Sequence, residues 1–145
     1  MTRQHFGTVT GLALISWLST VGIASAETLA FTAELKGASE VPPTTVTATG
    51  TVTATYDTAS KSLSWKGSYD GLTGDATAAH FHGPADAGAN AGVAVPIPAF
   101  KSPFTGTAAL TDAQAADLAA GKFYFNIHTT ANPKGEIRGQ LRKDQ

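Results

Sequence analysis

Residues 78–83 read Ala-Ala-His-Phe-His-Gly, and residues 123–129 read Phe-Tyr-Phe-Asn-Ile-His-Thr. Apart from His5 near the N-terminus, the histidines of the chain are His80, His82 and His128. On an extended strand successive side chains point to opposite faces, so His80 and His82 share a face while Ala79 and Phe81 share the other. In the second stretch Phe123, Phe125 and Ile127 alternate with Tyr124, Asn126 and His128. If Phe81, Phe125 and Ile127 face a core, the three histidines fall together on the opposite, solvent-side face. Two neighbouring strands then make a three-imidazole site. Neutral imidazoles suit a copper or zinc ion and are poor ligands for calcium or magnesium.

The segment Gly135–Leu141 supplies further groups. With Ile137, Gly139 and Leu141 facing the core, Glu136, Arg138 and Gln140 lie on the histidine face. A hairpin around residues 130–135 (Thr-Ala-Asn-Pro-Lys-Gly) sets Glu136 opposite His128 and Arg138 opposite Asn126 as cross-strand neighbours. A carboxylate there occupies a fourth coordination position or holds the imidazole tautomer, and Arg138 and Asn126 are the other groups placed to take such a role.

The same residues have an inert reading, in which strand-end histidines bond turn carbonyls and Glu136 and Arg138 form a surface ion pair. Other chemistry finds no support. There is no G-x-S-x-G elbow and no phosphate-binding loop, since Gly121-Lys122 is followed by Phe123. Asp70, Asp75 and Asp86 sit in turn-like contexts, Glu40 reads as a structural acceptor, and Tyr124 and Trp65 read as packing residues. No catalytic residue is assigned.

The elements that position the histidines follow a period of two. Leu29–Leu35, Val46–Tyr56 and Leu63–Tyr69 alternate apolar and polar positions. Ala76–Gly83 is a fourth strand, and Gly92–Pro98 a short fifth whose prolines mark an edge or a bulge. Residues 111–121 form the one helix, with Thr111 and Gln114 as a capping box and Gly121 as the left-handed C-terminal residue. Two more alternating strands span residues 122–129 and 135–142. The pattern is that of an all-β, Greek-key antiparallel β-sandwich with one short helix.

Residues 1–26 combine Arg3, an apolar run from about Gly11 to Ile23, and Ala24-Ser25-Ala26, which reads as a secretory signal peptide. Removing 26 of the 145 residues leaves 119, one domain over residues 27–145, secreted or periplasmic. The apolar run is too short for a membrane span, so no membrane insertion is expected after cleavage. The chain has no cysteine, which excludes thiolate sites and disulfides. Its net charge of −1, without a basic run, gives no footprint for nucleic acid.

Three separated motifs carry a resemblance: Gly37-Ala-Ser-Glu-Val-Pro-Pro43, Ala79-His-Phe-His-Gly-Pro-Ala85, and the stretch from Gly121 to Gln140. In order and spacing they resemble the CHRD domain, described in chordin and widespread in exported bacterial proteins. The likeness covers roughly Leu29 to Leu141. It implies a β-sandwich similar to that of copper, zinc superoxide dismutase, in which an H-x-H strand supplies copper ligands. The fourth copper histidine, the histidine bridging to zinc and the usual disulfide of that enzyme are all missing here. The functional expectation is therefore an exported module binding copper or zinc through three histidines. A metal-free structural or interaction domain comes second, with no protein partner indicated, and a metalloenzyme of carbonic-anhydrase or dismutase type third.

Overall fold

The computed structural model describes residues 25–145; the apolar run and most of the expected signal segment lie outside the described residues. Nine strands and one helix follow in the order β1 (Thr28–Lys36), β2 (Thr49–Asp57), β3 (Ser62–Asp70), β4 (Ala76–His82), β5 (Val93–Pro96), β6 (Phe104–Ala109), α1 (Asp112–Ala119), β7 (Tyr124–Thr129), β8 (Ile137–Gln140) and β9 (Arg142–Lys143). Every pairing is antiparallel. The strand order is β5-β4-β7-β8-β1-β2-β3-β6, with β9 also on β1.

One break gives this order two layers. β8 and β1 meet only at Lys36 and Arg138, a corner between a β5-β4-β7-β8 layer and a β1-β2-β3-β6 layer. The chain changes layer between β3 and β4, between β5 and β6, again through α1, and back between β8 and β9. Alternation dictates which side chains meet in the middle. Phe31, Ala33, Leu35, Val52, Leu63 and Trp65 from one layer face Phe81, Phe125, Ile127 and Ile137 from the other. Trp65 meets Phe81 edge-on at 5.3 Å between ring centroids, and Phe104 stacks on Phe125 at 5.6 Å. Each fully buried aromatic of this kind contributes roughly 1.5–3 kcal/mol.

The helix is capped as its sequence predicts. Thr111 accepts from the Gln114 N–H, Gln114 returns the bond to the Thr111 N–H, and Gly121 follows at φ +73°. The Gln114 amide also donates to the Ala94 carbonyl, which ties α1 to edge strand β5. No helix among the described residues is long and apolar enough to cross a membrane. Strand β6 was not foreseen in Phe-Thr-Gly-Thr-Ala-Ala, and it closes the β1 layer against β3.

Candidate metal centre

β4 and β7 pair so that His80 lies opposite Asn126, Ala78 opposite His128 and His82 opposite Tyr124. His80 and His128 are therefore diagonal neighbours on the outer face of the sheet. Ring centroids are 5.0 Å apart for His80 and His128, 5.4 Å for His80 and His82, and 6.2 Å for His82 and His128. One ring nitrogen from each histidine lies within 4.8 Å of the others. His80 Nδ1 and His128 Nε2 are 3.1 Å apart. A tetrahedral ion about 2.0–2.1 Å from each nitrogen sets its ligands about 3.3 Å apart, so this spacing suits a shared ion.

The backbone sets the tautomers of two rings. His82 Nδ1 is 3.0 Å from the Ala91 carbonyl, and His128 Nδ1 is 3.0 Å from the Pro133 carbonyl. A carbonyl only accepts, so each Nδ1 carries the proton and each Nε2 presents a lone pair. His82 Nε2 is buried and has no hydrogen-bond partner. Burial lowers the pKa of all three rings, and for His80 the neighbouring His128 and His82 lower it further. The cluster is thus neutral at pH 7, the state in which imidazole binds a metal. An orphaned lone pair beside two more imidazoles fits an ion of the copper or zinc kind, and no carboxylate joins the set to suit a harder cation.

The face carrying the cluster is open to solvent only in part: His80 and His128 are half-buried and His82 is covered. His82 is only 8% exposed, because the loop of residues 83–92 folds back over β4 and β7. Arg138 Nη1 donates to the Asn90 side-chain oxygen and Nη2 to the Ala89 carbonyl, while the Asn90 amide donates to the Val41 carbonyl. The Tyr124 hydroxyl bonds both the N–H and the carbonyl of Ala91. Gln140 donates to the carbonyls of Ala85 and Gly121. Arg138 and Asn126 do pair across β7 and β8, but the Arg138 guanidinium reaches this loop and lies 3.4 Å above the Tyr124 ring. Asn126 is buried with its Oδ1 unpartnered.

Glu136 does not face His128. It precedes β8, just after the turn that ends at Gly135 with φ +130°. Its carboxylate accepts from the Thr73 N–H and hydroxyl, both at 2.7 Å, from the Asn132 amide at 3.0 Å, and from the Thr129 hydroxyl. Burial alone would raise its pKa, yet these bonds together hold it below the usual carboxylate value. The group that bonds His128 Nδ1 is instead the carbonyl of Pro133, within a segment read as turn chemistry. Tyr124, read from the sequence as a packing residue, stacks on His82 with centroids 4.8 Å apart and planes 4° from parallel. Glu40 is buried near Asn126 and Arg138, and burial pushes its carboxyl up to about 7 against the lowering influence of those two side chains.

The family profile of the CHRD domain matches residues 31–141, which span all three motifs and every strand that builds the cluster. The chain belongs to the CHRD-domain family. No curated protein and no solved structure matches it. Within this CHRD domain the His-x-His motif supplies two corners of the cluster, and the Asn-Ile-His-Thr strand supplies the third.

Proposed function

We propose that this CHRD domain is an exported module that holds a copper or zinc ion through His80, His82 and His128. The observation that carries the reading is that one ring nitrogen from each of His80, His82 and His128 lies within 4.8 Å of the others, in a cluster where His82 Nε2 is buried without a hydrogen-bond partner. Buried polar atoms are nearly always satisfied, and an ion satisfies this one. The likeness to the copper strand of superoxide dismutase supports the choice of metal. The leader-like N-terminus supports export.

A second reading has its own observation. His80 Nδ1 and His128 Nε2 already bond each other at 3.1 Å, which satisfies two of the three rings without an ion and suits a structural or interaction domain. Protein purified without a polyhistidine tag separates the two. Titration with copper(II) and with zinc(II) against a competing chelator gives one ion per chain for the metal module, abolished by replacing the three histidines with alanine. Weak, non-stoichiometric uptake that is equal in wild type and variant supports the metal-free domain.

A further inference from the structure

Three planar groups lie in a column beside the histidine cluster. His82 stacks on one side of Tyr124 at 4.8 Å, and the Arg138 guanidinium caps the ring at 3.4 Å. The same two supporting side chains grip three consecutive residues of the 83–92 loop. Arg138 holds Ala89 and Asn90, and Tyr124 holds both polar groups of Ala91. The Ala91 carbonyl is also the acceptor for His82 Nδ1–H. Tyr124 therefore touches His82 twice: directly through its ring face, and through the carbonyl that fixes the imidazole tautomer.

We infer that Tyr124 and Arg138 are positioning residues of the histidine cluster, which hold the Ala91 carbonyl against His82 Nδ1 so that Nε2 is presented as a ready ligand. Loss of the clamp lets the loop retreat, and Nδ1 loses the acceptor that keeps its proton there. His82 then divides between its two tautomers, and only one of them presents Nε2. His128 is fixed from elsewhere, by the Pro133 carbonyl of the β7–β8 hairpin, so it stays unaffected. Groups holding the second nitrogen of a ligating histidine usually account for about 10–100-fold in metal affinity. Here the holding group is a backbone carbonyl, and the side chains that determine its position, Tyr124 on β7 and Arg138 on β8, are both far removed from it in sequence.

The inference rests on reading the cluster as a metal site, but its first test needs no metal. Tyr124→Phe keeps the stack and removes both hydroxyl bonds; Tyr124→Leu removes both features. Asn90→Ala, at an exposed position, loosens the Arg138 grip without touching the core. Long-range proton–nitrogen NMR of the metal-free protein reads the tautomer of each histidine. The expected result is a His82 signal moving from pure Nδ1–H toward an average of the two forms in all three variants, most in Tyr124→Leu, with His128 unchanged. Zinc titration against a chelator is then expected to show about a 10–100-fold loss for Tyr124→Leu and smaller losses for the other two. An unchanged His82 tautomer in Tyr124→Phe and Asn90→Ala overturns the inference. Equal movement of His82 and His128 overturns it too, since that is the mark of general loosening. A His82 tautomer that shifts in the variants relative to wild type, with none of the proteins binding zinc, upholds the positioning role while removing the metal reading.

Discussion

His80 and His128 come from strands paired side by side, and their Nδ1 and Nε2 atoms meet at 3.1 Å. Because His128 Nδ1–H is given to the Pro133 carbonyl, its Nε2 is the acceptor and His80 Nδ1–H is the donor. An ion taken up between them would replace this bond; solvent would take the His80 Nδ1 proton and supply one to Nε2, so the ring stays neutral with no net proton release.

Metal uptake should therefore depend on pH in a window set by the neutral rings. All three pKa values are lowered from 6.5, so protons compete only below the ordinary histidine range. Affinity for zinc or copper is expected to be flat from about pH 8 to about 6.5 and to fall steeply below that. Calorimetric titration at several pH values checks the window. A decline that begins well above pH 7 contradicts the neutral cluster.

Glu136 is bonded into the fold rather than into the histidine cluster. Its carboxylate joins the Leu72–Thr73 loop to the β7–β8 hairpin through Thr73, Thr129 and Asn132. Glu136→Ala leaves these buried donors without an acceptor and is expected to cost about 2–4 kcal/mol, with Glu136→Gln costing less. Its pKa is lowered in the fold, so the stabilisation is complete above the unfolded carboxylate pKa and is lost as pH falls through the lower, folded one. Urea denaturation at pH 7 and at pH 3 reads both effects. Zinc affinity of Glu136→Gln, measured where the variant is folded, should match wild type.

The strands that build the cluster were legible because they alternate cleanly and because Phe81, Phe125 and Ile127 are large enough to mark the core side. The capping box made α1 legible in the same way. What was not legible depends on contacts distant in sequence. β6 has Phe104 as its one large apolar residue, and its Gly106 is required because a Cβ there would collide with the Trp65 indole. His82 is bonded by the backbone of Ala91, next to residues that Arg138 grips, and side-chain patterning carries no record of which carbonyl an arginine will find. Glu136 was misplaced by extending the alternation of β8 back past its first residue, Ile137, toward the turn that ends in a glycine at φ +130°.

That glycine is itself a test of the site's frame. Gly135 adopts a conformation that L-residues rarely hold, and a Cβ there would also collide with the Glu40 carboxyl and the Asn126 amide. Gly135→Ala is expected to cost about 2–4 kcal/mol from backbone strain and overpacking together. The denaturant midpoint measures the loss, and a change under about 0.5 kcal/mol, as at ordinary surface sites, contradicts the stated geometry.

Glu40 gives the opposite pH signature to Glu136. Its folded pKa of about 7 stands above the ordinary carboxyl value of 4.5, chiefly through burial, so the fold binds a proton that the unfolded chain has released. The sign follows: this contribution to stability is complete below about pH 4.5, declines as pH rises, and is gone above about pH 7. The span corresponds to about 3 kcal/mol at 1.36 kcal/mol per unit. Glu40→Gln keeps the shape and removes the ionisation. It is expected to unfold close to wild type at pH 5 and to be more stable by up to about 3 kcal/mol at pH 8. Subtracting variant from wild type at each pH cancels the histidines and the other carboxylates, which titrate in both proteins. Thermal melts from pH 5 to pH 8 provide the comparison. A constant difference across that range, or a variant less stable at pH 8 than at pH 5 relative to wild type, shows that Glu40 is ionised in the fold and held there by Arg138.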